Sequence, residues 1–211
     1  LLSEVRFAAA LVYSPRGQAE VSRRSREQVR DPIKRGDPEF LQIVTRRLPQ
    51  LLPAELVTRF LAPNVVLVPT PRRAPMHSKD ALWPAKLLAL ALVRGGLGAD
   101  VLPCLTRTKA VPKSATAAPG ERPEAARHHE SLRVDSNLLE RPRRITIVDD
   151  FVTKGATLLA AASRVQEAFP EAEVRAFALV RTKGLVADIE SISEPCEGLI
   201  TRVGDHVDRQ P

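Results

Sequence analysis

The chain has 211 residues, 44% apolar and only 4% aromatic, enough for one sizeable core built from Leu, Val, Ile and Ala. Its longest uninterrupted apolar stretch, Leu87–Val93, falls well short of the roughly 18 residues that a membrane span needs, and no secretory signal pattern opens it. With 32 Lys and Arg against 25 Asp and Glu the net charge is +7, which favours an anionic partner, nucleic acid or a small polyphosphate, without choosing between them.

In chain order, residues 1–63 are expected to form a helical, basic extension. Leu2–Tyr13 is mostly apolar, and Ser14-Pro15-Arg16-Gly17 is a turn signal. Glu20–Lys34 carries Arg23, Arg24, Arg26, Arg30 and Lys34 with few large apolar residues; it reads either as a solvated face or as a basic lid or contact surface. Phe40–Leu52 and Ala54–Leu61 have the i, i+3, i+4 spacing of amphipathic helices, with Pro49, Pro53 and Pro63 marking their ends. Val65–Val68 is a continuous Val/Leu run suited to a strand covered on both faces. A helix is expected to start near residue 82, because Pro84 is tolerated only in a first turn, and Gly95-Gly96 stops it. Trp83 is most simply a packing residue.

Ala99–Leu105 predicts a second strand. Residues 106–131 lack apolar periodicity and predict a functional flap or disorder. Arg143–Val148, Ala156–Phe169 and Val174–Val180 then predict strand, helix and strand, a βαβ unit with a parallel sheet and a right-handed crossover. Cys104 and Cys196 are too few for a metal cluster and make no disulfide framework, so reduced thiols and a cytoplasmic location are expected. His128-His129 lacks metal-ligand spacing.

The chemistry concentrates in Ile145-Thr146-Ile147-Val148-Asp149-Asp150-Phe151-Val152-Thr153-Lys154-Gly155-Ala156-Thr157. A buried strand runs into two adjacent carboxylates, and a hydroxyl-bearing loop then opens a helix. Thr153–Thr157 can turn backbone N–H groups and hydroxyls toward one phosphate, beside the favourable end of a helix dipole. Gly155 permits a close backbone approach. Twin carboxylates can accept hydrogen bonds from vicinal hydroxyls and favour positive charge on a sugar ring. Such a site belongs beyond the carboxyl ends of the strands in an open α/β sheet.

This segment resembles the phosphoribosyl pyrophosphate signature of the type I phosphoribosyltransferases: apolar residues, two acids, two apolar residues and a Thr/Gly-rich loop. Thr146, Phe151 and Lys154 are modest departures from that pattern. The resemblance spans about residues 64–182, as a core between the extension at 1–63 and a C-terminal extension at 183–211. It implies an α/β fold with a parallel sheet and helices on both faces.

It further implies that Asp149 and Asp150 meet the ribose hydroxyls directly or through Mg²⁺, and that Thr153, Lys154, Gly155, Ala156 and Thr157 hold the 5-phosphate. Thr70, Arg72 and Arg73 fall where the family places its pyrophosphate loop; the Arg pair reads equally as a solvated turn. The 106–131 segment matches the family's flexible catalytic loop, with Arg107, Lys109 and Lys113 as candidates to neutralise the leaving pyrophosphate. Within the superfamily, Ile33-Lys34-Arg35-Gly36-Asp37, Leu105-Thr106-Arg107-Thr108 and Ala178-Leu179-Val180-Arg181-Thr182 resemble the competence-associated ComF-like branch, whose zinc ribbon has no matching Cys pair in residues 1–63.

The implied activity is transfer of a 5-phosphoribosyl group from phosphoribosyl pyrophosphate to an unnamed acceptor. Thr153, where enzymes of 6-oxopurines generally carry Asp, argues against hypoxanthine or guanine. The implied partners are phosphoribosyl pyrophosphate or a nucleoside 5'-phosphate, and a homodimer is expected. A second reading is a non-catalytic or regulatory nucleotide- or nucleic-acid-binding protein on the same scaffold.

Overall fold

The chain opens with a strand, not a helix. In β1 (Glu4–Tyr13) residues Phe7 to Val12 are all buried. An Ala-rich run favours a helix by propensity, but here neighbouring strands claim both of its edges, and that context overrides the preference. The computed structural model describes residues 1–75, 81–111, 124–135, 141–184, 186 and 188–211. After β1 come α1 (Glu20–Arg24), a π-helical turn (Ser25–Arg30), α2 (Asp31–Arg35), α3 (Pro38–Leu51) and α4 (Ala54–Phe60). Pro49, expected to end a helix, lies inside the last turn of α3. It forfeits one amide there, while Leu48 is fully buried and the Leu52 N–H donates to its carbonyl at 2.8 Å.

β2 (Val66–Pro69) and α5 (Pro84–Arg94) fall where the sequence puts them, with Pro84 in the first turn. The strand expected at 99–105 is two, β3 (Asp100–Val101) and β4 (Leu105–Arg107). Pro103 has no amide for a ladder; past it the chain leaves the main sheet, and β4 pairs with β5 (Leu132–Val134) beyond α6 (Ala125–Glu130). Residues 106–111 and 124–131, expected as part of a flap, thus belong largely to a small ribbon and a helix anchored by buried Leu105, Ala125 and Leu132.

β6 (Arg144–Val152), α7 (Ala156–Ala168) and β7 (Glu173–Thr182) form the expected βαβ unit, in register from Arg144–Glu173 to Val152–Arg181. The sheet closes with β8 (Ser193–Val203) and β9 (His206–Gln210). Its order is β3-β2-β6-β7-β1-β8-β9. The first five strands are parallel, and β8 and β9 are antiparallel additions.

Helices cover both faces of this sheet. One core packs α7 against Phe7, Ala9, Ile147, Ala176 and Ala178; the other packs α3, α4 and α5 against Ala8, Ala10, Phe177 and Leu179. The alanines on the central strands leave room for helices to lie close on both sides. The fold is therefore α/β with a mostly parallel sheet, and the segments outside 64–182 contribute three of its seven strands.

Candidate functional site

Strand β6 is longer than its apolar run, so Asp149 and Asp150 lie within it rather than past its end. The neighbouring β2 stops sooner: Pro69 pairs with Val148, and Thr70 arrives beside the acids. The Thr70 N–H donates to the Val148 carbonyl at 2.9 Å and its hydroxyl to Asp149 Oδ1 at 2.8 Å. The same Asp149 oxygen accepts the Asp150 N–H at 2.9 Å. Asp150 Oδ1 accepts the Phe151 N–H at 3.0 Å, and Asp150 Oδ2 meets Lys34 Nζ at 2.6 Å. Withdrawal from water, then repulsion by the Asp150 carboxylate, push the Asp149 carboxyl well above its ordinary range; Thr70 and Lys34 pull the other way. Such a pair is receptive to hydroxyl donors and to positive charge.

Past β6 the chain turns into α7 through Gly155, which adopts φ 94°, ψ 4°. A Cβ there would fall 2.7 Å from Ile200 Cδ1 on β8. A cavity of about 170 Å³ opens at this point, lined by Asp149, Thr153, Lys154, Gly155, Ala156 and Thr157 among others. The first-turn amides of α7 have no carbonyl partner within the helix, so a helix N-terminus, two threonine hydroxyls and the exposed Lys154 flank one space that two acids, Asp149 and Glu124, also line.

The C-terminal hairpin completes this wall, which the sequence left unassigned. His206 and Val207 line the cavity. Arg209 Nε donates to the Thr153 carbonyl at 2.6 Å, and its Nη2 donates to the Thr182 carbonyl at 3.2 Å. No local pattern in residues 183–211 signals this contact; it arises because the sheet order brings β9 to the loop.

Lys34 is a further residue that sequence reasoning missed as a site residue, although it lies in a segment quoted for its resemblance. Each member of Ile33-Lys34-Arg35-Gly36-Asp37 except the exposed Arg35 has a local duty. Ile33 is buried and anchors α2. Gly36 ends α2 at φ 68°, where a Cβ would fall 2.6 Å from Leu82 and 2.7 Å from Leu87. Asp37 caps α3, accepting the N–H groups of Glu39 and Phe40 at 3.0 and 3.1 Å. Lys34 reaches the acid pair with its ammonium 4.6 Å from the centre of the Phe151 ring, and Tyr13 packs edge-on to that ring at 5.7 Å.

The basic candidates have varied settings. Arg72 and Arg73 are exposed in the loop after β2, as is Lys109 after β4; Lys113 lies outside the described residues. The Arg73 carbonyl accepts the Val111 N–H at 2.9 Å, tying the two segments together. Arg107 is buried, donating to the Arg72 carbonyl at 3.2 Å and to Ser131 Oγ at 2.6 Å. Burial pushes its guanidinium down to about 10, against the attraction of Asp149. The same burial, with the Arg107 charge beside it, pushes His128 down to about 4. Among the described residues no three His, Cys, Asp or Glu side chains converge as a metal site, both cysteines are free thiols, and no helix is long and apolar enough to cross a membrane.

No protein-family model matches the chain, and neither does any curated protein. Among solved structures it is similar to an adenine phosphoribosyltransferase at 22% identity, covering 72% of this chain and 75% of that one, with a TM-score of 0.39. The adenine phosphoribosyltransferase of Thermoanaerobacter pseudethanolicus matches at 17% identity over 71% of this chain and 84% of its own, with a TM-score of 0.38. That of Leishmania donovani matches at 15% identity over 82% and 76%, with a TM-score of 0.35.

Proposed function

We propose that the protein binds phosphoribosyl pyrophosphate and transfers its 5-phosphoribosyl group to an acceptor nucleophile with release of pyrophosphate. The observation that carries this reading is that Asp149, on a central parallel strand, lines the same cavity as the Thr153–Thr157 turn into α7. The likeness of Asp149–Thr157 to the phosphoribosyltransferase signature supports it, and the Ile33–Asp37 segment supports the ComF-like branch in particular.

In this reading the α7 amides and the hydroxyls of Thr153 and Thr157 hold the 5-phosphate. Asp149 and Asp150 accept the ribose hydroxyls and stabilise the positive charge that develops on the ring as the C1–oxygen bond to pyrophosphate breaks. Arg72, Arg73 and Lys109 are the exposed cations for the departing pyrophosphate, and Lys113 joins them as a candidate from the sequence. A Mg²⁺ ion would be held chiefly by substrate oxygens and water, meeting the acid pair only through that water, because Lys34 Nζ already stands 2.6 Å from Asp150 Oδ2. When bound, such an ion neutralises the leaving group. A homodimer and a cytoplasmic setting accompany this proposal.

Calorimetric titration with phosphoribosyl pyrophosphate and Mg²⁺ tests it. The wild-type protein is expected to bind, and the Asp149→Asn/Asp150→Asn double variant to lose at least tenfold in affinity. Equal affinity in the two proteins overturns the assignment.

A further inference from the structure

We infer that Lys34 is a ribose-positioning residue, a tethered cation that takes the place of a divalent ion on the diol side of the acid pair. The inference rests on the sugar-phosphate reading above and deepens it. Lys34 Nζ stands 2.6 Å from Asp150 Oδ2. A metal ion ligated to that oxygen and the ammonium compete for one small volume and repel each other. Nor is Asp149 Oδ1 free, since it accepts from Thr70 and from the Asp150 amide. Asp150 is thus already met by a protein cation, and Asp149 by a hydroxyl and an amide.

Three features keep that cation in place. The Phe151 ring lies beneath it at 4.6 Å and attracts it through its π face. Tyr13 fixes the ring from the side. The helix that carries Lys34 is pinned by buried Ile33 and by the close fit of Gly36 against Leu82 and Leu87. These contacts hold Lys34 although its side chain is 53% exposed. An ammonium carries three donors, so after bonding Asp150 it still has N–H groups for the oxygen of a ribose hydroxyl whose own proton goes to a carboxylate. Lys34 and the acids together recognise a vicinal diol, and the Thr153–Thr157 turn recognises the phosphate.

A sugar phosphate that lacks pyrophosphate should therefore bind without a divalent ion. Ribose 5-phosphate is titrated into wild type, Lys34→Met and Lys34→Arg, each in EDTA and in Mg²⁺, with inorganic phosphate as a second ligand. Wild type is expected to bind ribose 5-phosphate within twofold under the two conditions. Lys34→Met is expected to lose tenfold or more in EDTA while binding inorganic phosphate as wild type does, which also shows that the variant folds. Lys34→Arg should recover most of the loss. Wild-type binding that needs Mg²⁺, or Lys34→Met binding ribose 5-phosphate in EDTA as tightly as wild type, overturns the role of Lys34 and leaves the sugar-phosphate reading intact. Absence of ribose 5-phosphate binding by wild type under both conditions overturns both.

Discussion

Gly155 meets two demands at once: a left-handed backbone and a side-chain-free contact with Ile200. The first costs an L residue about 1–2 kcal/mol, and overpacking adds about 1–3 kcal/mol. Gly155→Ala is therefore expected to lower stability by about 3 kcal/mol in urea unfolding. In an Ile200→Ala background the same change should cost only the backbone share; equal costs in both backgrounds would remove Ile200 from the explanation. His128 supplies a pH signature. Its folded value near 4 lies below the ordinary 6.5, so between those values the unfolded chain binds more protons than the folded one. Stability should fall as pH drops through that window, by at most about 3 kcal/mol. His128→Gln should flatten that part of the stability–pH curve, whatever it does to stability at neutral pH. A slope that the substitution leaves unchanged would assign the effect to other groups.

At the scale of elements, the hairpin of β8 and β9 supports the turn between β6 and α7. Arg209 holds the carbonyls of Thr153 and Thr182 together, with one guanidinium nitrogen buried and without a hydrogen-bond partner among the described residues. Arg209→Met removes both bonds and releases the turn. Inorganic phosphate should then bind about fivefold more weakly, the equivalent of about one hydrogen bond; undiminished phosphate affinity would make the hairpin a mere cover. The contrast with α7 explains what could be read in advance. The β6–α7–β7 unit was legible because its strand run, acid pair, Gly155 and helix stripe are contiguous in sequence. Arg209 meets Thr153 across 56 residues and Lys34 meets Asp150 across 116, so no local pattern joins them. Leu105–Arg107 and Ala125–Val134 escaped notice for a related reason: each segment is short, and the apolar residues that bury it, such as Leu105 and Leu132, lie on opposite sides of a polar stretch.

Over the whole molecule, the position of β1 decides how the chain can be divided. The sequence suggests an extension at residues 1–63 followed by a core, because the family resemblance begins only at about residue 64 and the segment before it reads as helical and basic. The sheet order instead inserts β1 between β7 and β8. It pairs with β7 from Phe7–Ala176 to Tyr13–Thr182, and with β8 from Glu4–Thr201 to Leu11–Ser193. Without it, β7 exposes a bare edge, Phe7 leaves the core under α7, and β8 and β9 lose their attachment to the rest of the sheet. Arg209 then has no means of reaching Thr153. Deletion of residues 1–13 should therefore give a chain with no cooperative thermal transition by far-ultraviolet circular dichroism, and no phosphate binding. A separable extension makes the opposite forecast, a truncated chain that melts cooperatively and still binds phosphate. The deletion thus distinguishes a sheet that begins at Glu4 from one that begins at Val66, and it shows whether the phosphate turn depends on strands drawn from both ends of the chain.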